Sequence, residues 1–174
     1  MLVALVLPLA IFIIRHRGLP GSPAASAAPA GGGAVLPALS KLPRRSGHAT
    51  VSLDSIVIDG NATVVAALRK PRTFKVKRSD TIQFLGWAFD PNAAAPAGGL
   101  FFRLGARDLG TTYGLARQDV AAAYKLPNLT LVGFNALVSG RSLHPGANTV
   151  SVVVVSHDLK SYYVNPSEVV LDLH

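Results

Sequence analysis

No stretch limits the fold of this chain as much as Asn148 to Ser156, which reads NTVSVVVVS. Its β-branched side chains are stiff at the first torsion and fit a pleated surface better than a helix. The alternation of one wet and one dry face breaks down across the four consecutive valines. A short apolar run of this kind predicts a strand buried on both faces, in the core of a sandwich. The rest of the chain must therefore supply layers of β-structure around it.

A second organising stretch is Thr81 to Asp90, TIQFLGWAFD, with the only tryptophan of the chain at its centre. Side chains alternate across a strand. Ile82, Phe84 and Gly86 therefore share one face, and Gln83, Leu85 and Trp87 the other. Gly86 lets a neighbouring backbone or ring come close. Trp87 is expected to be the pin between two sheets. Asp90, next to Pro91 and Asn92, is expected to cap the turn that ends the strand.

Around these two stretches lie short β-rich runs cut by turn residues, the spacing of a sandwich or barrel. Thr50 to Asp59 reads as a strand closed by Gly60 and Asn61, and Thr63 to Leu68 as the next. Phe74 and Val76 alternate with Lys75 and Lys77, which gives that segment one wet face. Leu100 to Leu104 predicts a strand that turns at Gly105 and pairs with Arg107 to Leu109. Leu131 to Val138, Ser161 to Val164 and Glu168 to Leu173 complete the set, and Leu143 to Gly146 reads as a tight turn. One segment breaks the pattern. Arg117 to Lys125 has strong helix formers, with Val120 and Tyr124 on one face. It predicts about two helical turns used as a crossover between sheets. About eight to ten strands and one helix fit an all-β, immunoglobulin-like β-sandwich, with a closed barrel as runner-up.

The N-terminal part has a different composition. Met1 to Ile14 is uninterruptedly apolar and is stopped by Arg15, His16 and Arg17. A bilayer-spanning helix needs about 20 apolar residues, so this run is short, and Pro8 lies within it. A secretory signal is the competitor, but its positive charges precede the apolar run rather than follow it. Residues 1–17 are read as a membrane anchor helix, with the lipid bilayer as partner of residues 1–14. Residues 18–47, rich in Gly, Pro, Ala and Ser, are read as a flexible linker with too few large side chains to offset the entropy of ordering. Residues 48–174 are read as the sandwich domain. Under the positive-inside rule Arg15 and Arg17 lie in the cytoplasm. A domain outside the membrane is then reconciled with that rule by reading the chain as the tail of a longer multi-pass protein; a start site assigned too late would also explain the short helix and its missing positive n-region.

The chain carries 17 basic and nine acidic residues, a net charge of +8. No acidic residue precedes Asp54, whereas Arg15, Arg17, Lys41, Arg44 and Arg45 do, so the folded part is only mildly basic. The patch Lys41 to Arg45 is read as solvated linker, with contact to anionic headgroups as the functional alternative. Arg69, Lys70, Arg72, Lys75, Lys77 and Arg78 crowd a second run. Its simplest reading is an edge strand kept from aggregating by its lysines. DNA, headgroups and acidic polysaccharide are the alternatives. Nucleic-acid readers add aromatic interleaving or a recognition helix. Only Phe74 lies in this run, and no nucleic-acid partner is expected.

Several local strings occur together: Gly86 to Asp90 (GWAFD), Tyr113 to Ala121 (YGLARQDVA), Gly133-Phe134, Leu143 to Gly146 (LHPG), and the valine strand leading to Tyr162-Tyr163. As a set over residues 50–164 they resemble an immunoglobulin-like module of bacterial envelope proteins. Such modules are appended to multi-pass membrane glycosyltransferases and related surface-polysaccharide proteins. The resemblance implies an extracytoplasmic domain behind a membrane helix, in the periplasm or at the cell surface, and carries no catalytic residues with it.

The chemistry-bearing residues point the same way. There is no cysteine, so neither a disulfide framework nor a thiolate metal site exists. No nucleophile elbow or phosphate-binding loop is present. His144, His157, Asp158 and His174 are the best metal set, and His157 and Asp158 would point to opposite faces of a strand. Asp90, Asp108 and Asp119 are the candidates for paired carboxylates of glycoside hydrolysis. Asp90 is better read as a turn cap, and Arg117 and Asp119 as a pair at the helix start. No catalytic residue, metal or cofactor is expected. Candidate ligand contacts are Trp87, Tyr113, Tyr162 and Tyr163, for all of which packing is the simpler reading. The expected function is a non-catalytic, membrane-tethered accessory or interaction module of the cell envelope, linked to surface glycan or to a membrane glycosyltransferase. The alternatives are a carbohydrate-active enzyme domain using carboxylates and a basic module on the inner leaflet.

Overall fold

A computed structural model describes residues 38–64 and 72–174. The anchor expected at residues 1–17, and the first part of the linker, lie outside them. Among the described residues no helix is long and apolar enough to cross a membrane.

The described residues form eleven strands in two sheets. In chain order they are β1 (Thr50–Ile58), β2 (Asn61–Val64), β3 (Arg72–Val76), β4 (Thr81–Asp90), β5 (Ala95–Pro96), β6 (Gly99–Leu104), β7 (Arg107–Gly110), β8 (Thr112–Leu115), β9 (Gly133–Ser139), β10 (Gly146–Val155) and β11 (Tyr162–Leu173). The first sheet has the order β2-β1-β4-β9-β8, with β5 added to β4. The second has the order β3-β11-β10-β6-β7. All pairings are antiparallel except that of β3 with β11. Two separate sheets make this an all-β sandwich and rule out the closed barrel.

The core lies between the sheets. Ile56, Ile82, Phe84, Phe134, Ala136 and Val138 from the first sheet meet Phe102, Val150, Val152, Val154, Val169 and Leu171 from the second. Phe102 on β6 bridges the layers. Its ring centroid lies 4.8 Å from that of Phe84 and 5.6 Å from that of Phe134. This trio, and not Trp87, pins the sheets together. The alternation along β4 decides the matter. Ile82, Phe84 and Ala88 face inward, which turns Trp87 to the outer face, where it is half-buried.

The valine strand is covered on both sides, as its sequence predicts. Val150, Val152 and Val154 enter the central core, while Val153 and Val155 lie in a second cluster with Leu39, Leu42, Leu159 and Tyr162. The cover comes from a segment read as linker. Leu39–Lys41 forms a 3₁₀ turn, Leu39 is buried, and Arg44 bridges Tyr162 in parallel register. The Tyr162 N–H donates to the Pro43 carbonyl at 3.1 Å, and the Arg45 N–H to the Tyr162 carbonyl at 2.8 Å. The folded domain therefore includes residues 38–47, and the boundary expected at residue 48 moves toward the N-terminus. Two large side chains, Leu39 and Leu42, are enough to hold a segment whose average composition reads as linker.

The helix α1 (Gln118–Tyr124) stands where the sequence predicts it. It ends at Lys125 in the left-handed conformation, whose N–H bonds the Ala121 and Ala122 carbonyls. It is not a crossover between sheets: β8 and β9, which it connects, are neighbours in the first sheet. Together with the 3₁₀ turn Pro127–Leu131 it covers part of that sheet's outer face. Val120, Ala121, Leu129 and Val132 pack there on Phe89, with Trp87 and Leu126 beside them.

Candidate functional site

The four aromatic candidates do not converge on one groove. Trp87 stacks on Phe89 at 6.0 Å between centroids and meets Tyr124 edge-on at 5.7 Å, beneath α1. Tyr113 on β8 sends its hydroxyl inward, donating to the Ala88 carbonyl at 2.7 Å and accepting from the Ala97 N–H at 2.9 Å. Burial raises its pKa well above the usual phenol value. Tyr162 lies on the outer face of the second sheet, with the Arg103 guanidinium 5.9 Å from its ring centre. Tyr163, its neighbour on β11, points into the core and is 1% exposed.

The Tyr163 hydroxyl is the centre of the most elaborate polar network. It donates to Asp90 Oδ1 at 3.0 Å and accepts from Asn92 Nδ2 at 2.8 Å and Arg45 Nη1 at 3.2 Å. Asp90 Oδ1 also accepts from the Asn92 N–H, and Asp90 Oδ2 from the His157 N–H, each at 3.0 Å. Asp90 is thus the turn cap its sequence predicts, and it is also a tie between the β4 end and the turn after β10. The adjoining turn is built on Ser156, whose hydroxyl donates to Asp158 Oδ1 at 2.6 Å. That hydroxyl, then the Lys160 N–H and more weakly the Arg45 charge, hold the Asp158 carboxyl below the usual range. Arg45 also reaches Asp158 at 3.9 Å. Among the described residues no buried side-chain nitrogen or oxygen lacks a hydrogen-bond partner.

A second polar group sits on the other face of the first sheet, where β1 carries a bulge between Leu53 and Ser55. A bulge leaves one residue unpaired and re-aims its side chain, and here that residue is Asp54. Its carboxylate accepts from Arg117 Nη1 at 2.5 Å. The same guanidinium grips Asp119 with two bonds, at 2.9 and 2.6 Å. This grip, foremost, lowers the Asp119 pKa. An open cleft of about 170 Å³ lies beside the cluster, lined by Asp54, Leu85, Leu115, Arg117, Gly133 and Phe134, among others. The sequence shows Arg117 and Asp119 as a pair, but nothing local reveals Asp54, which joins them from 63 residues away.

The three carboxylates considered for glycoside hydrolysis stay apart in function. Asp90 belongs to the Tyr163 network and Asp119 to Arg117. Asp108 pairs with Arg103 across the β6–β7 hairpin at 2.7 and 3.0 Å. His157 presents Nδ1 to the Pro96 carbonyl at 2.8 Å. Among the described residues no three His or acidic side chains are gathered as metal ligands. Asp90, Asp108 and Asp119 each bond a turn, a hairpin partner or the residue before α1.

No protein-family model matches the chain, and no curated protein matches it.

Proposed function

We propose that this chain is a non-catalytic interaction module of the cell envelope, an immunoglobulin-like sandwich carried by a membrane anchor at residues 1–17 and exposed outside the cytoplasm. The observation that carries the non-catalytic reading is the commitment of Asp90, Asp108 and Asp119 to three separate structural partnerships. Paired-carboxylate hydrolysis instead needs two acids flanking one bond, about 5–10 Å apart.

The immunoglobulin-like reading is supported by the strand order. Taking β1, β4, β9 and β8 as strands A, B, E and D gives one sheet, and β6, β10 and β11 as C, F and G the centre of the other. The early strand β3 pairs in parallel with the last strand β11 at the sheet edge. The chain departs from antibody domains in having no disulfide and in carrying its tryptophan on the outer face of the second sandwich strand.

The envelope placement rests on the apolar run Met1 to Ile14 and on the composition of residues 18–37. The test is a C-terminal reporter on the full chain. Activity of a phosphatase that folds only outside the cytoplasm is expected. Fluorescence of a reporter that matures only inside would sink the placement and favour the inner-leaflet alternative. Turnover of any glycan that vanishes in Asp90→Asn or Asp119→Asn would overturn the non-catalytic assignment.

A further inference from the structure

One surface stands apart from the paired charges described above. Lys75 sits on the wet side of β3, Lys77 follows the strand's last residue, and Arg78 lies in the turn to β4; all three are exposed. Arg141, also exposed, lies in the neighbouring 3₁₀ turn Gly140–Ser142. The two turns are locked together, because the Gly140 N–H donates to the Asp80 carbonyl at 2.8 Å. A Cβ on Gly140 would collide with the Lys77 carbonyl. The backbones that carry Lys77, Arg78 and Arg141 are therefore held side by side.

Among the described residues none of the four is in an ion pair. The ion pairs among the described residues involve Arg45, Arg103 and Arg117 only. Asp172 stands beside Lys75 in register on β11 without reaching it as an ion pair. Asp80 is turned inward: its carboxylate accepts from the Lys77 N–H at 2.8 Å and from the Ser79 hydroxyl at 3.2 Å. The acid in the turn is spent on shaping it, and the cations face water.

The same strand has a second property. Among the described residues β3 is the edge of its sheet, so one row of its backbone N–H and C=O groups has no strand partner there. Lys75 on the strand and Lys77 just past it are two residues apart, about 7 Å in extended backbone. A row of cations beside an open hydrogen-bonding edge matches a linear polymer that carries both anionic groups and hydroxyls. We propose that β3 and the turns at Arg78 and Arg141 form a docking strip for an acidic polysaccharide. Nucleic acid fits less well, since Phe74 is packed against the core and leaves no aromatic for a base to stack on. A bilayer fits less well, since a strand edge is a ridge and, of the exposed large apolar residues, Tyr124, Leu115 and Leu131 lie on or beside α1 and β8, which leaves Leu137 on β9 alone in the strand that leads to the Arg141 turn.

The proposal rests on the envelope reading above and names the partner of that module. The test uses the full chain and a linear uronate polymer as probe, with the uncharged polymer of the same linkage as control. Binding to the charged polymer that weakens steeply with salt is expected, because exposed charge pairs are screened within about 10 Å. The triple variant Lys75→Glu, Lys77→Glu, Arg141→Glu should lose about tenfold or more in affinity. A matched triple at exposed sites elsewhere, Lys41→Glu, Arg107→Glu, Lys160→Glu, should stay within about twofold of the parent. Unchanged far-ultraviolet circular dichroism confirms that both variants fold. Equal losses in the two triples would show bulk charge and overturn the strip. So would tighter binding to vesicles rich in anionic lipid, or to duplex DNA, than to the polysaccharide. If the reporter fusion places the domain outside and the strip variant still binds like the parent, the strip fails while the module reading stands. If the reporter lies inside, the module reading fails first.

Discussion

The Arg45 guanidinium meets the Tyr163 hydroxyl at 3.2 Å across 118 residues of sequence, and that contact fastens the N-terminal strap to the centre of the polar network. Arg45 donates to a hydroxyl that itself donates to buried Asp90, and its charge sits over the Tyr163 ring at 5.9 Å. Two residues from what looks like linker and core are thereby one structural unit.

The strap is expected to carry stability of its own. Leu39→Ala should lower stability by about 2 kcal/mol, the low end of the range for a leucine lost from a packed site, since Leu39 covers Val153 and Val155. A chain beginning at residue 48 should lose more, because those valines and Tyr162 then face water. Urea unfolding checks both: the midpoint should fall with the slope nearly unchanged for Leu39→Ala. An unaltered midpoint in the shortened chain would show that residues 38–47 are dispensable linker after all.

Trp87 and Phe102 should behave differently on truncation. Phe102 lies between the sheets at 0% exposure, so Phe102→Ala is expected to cost about 4 kcal/mol. Trp87 belongs to the outer cluster under α1, so Trp87→Ala should cost about 2–3 kcal/mol and leave the sandwich folded. Thermal unfolding of the two variants reads the difference. A Trp87 variant as damaged as the Phe102 variant would restore the tryptophan to the role its sequence first suggests.

The physical reason for that reversal also shows how far sequence carries. Periodicity gives the two faces of β4 correctly, but it cannot say which face meets the other sheet. That depends on what covers the outer side, here α1 and the turn Pro127–Leu131. Asp90 reads locally as a cap because its bond to the Asn92 N–H spans two residues. Its bonds to Tyr163 and His157 span 73 and 67 residues and leave no local trace. The doubly buried valine strand is legible because its own composition demands cover. The identity of that cover, Leu39 and Leu42, is hidden in a stretch whose glycines and prolines dominate the average. Asp54 goes unread because a bulge, and not the strand period, sets its direction.

Gly86 is expected to tolerate no side chain. A Cβ there would run into the Ser52 carbonyl on the paired strand and come within 2.7 Å of the Phe134 ring. The paired backbone of β1 cannot withdraw without breaking the ladder. Gly86→Ala should therefore destabilise by about 3 kcal/mol or more, through overpacking. Gly110→Ala, where nothing lies within 4 Å of the new carbon, should stay within about 0.5 kcal/mol of the parent. Denaturant midpoints of the two variants check this, and a Gly86→Ala protein as stable as Gly110→Ala would contradict the close approach of β1.

The three depressed carboxyls set the acid limit of the fold. Asp119 is held down first by Arg117, Asp158 by the Ser156 hydroxyl and Asp80 by the Lys77 N–H. Each is protonated more readily unfolded, at about pH 4, than folded. The stability they contribute is therefore fully present above that pH and is lost as the pH falls through their lower folded values. The urea midpoint should hold steady from neutral pH to about pH 5 and then decline below about pH 4. Asp119→Asn keeps the size of the side chain and gives up the charge that grips Arg117. It should lower the midpoint at neutral pH and make the decline below about pH 4 shallower than in the parent. Parallel declines in the two proteins would mean that the Arg117 grip on Asp119 contributes nothing to folding, and that Asp80 and Asp158 carry the acid sensitivity alone.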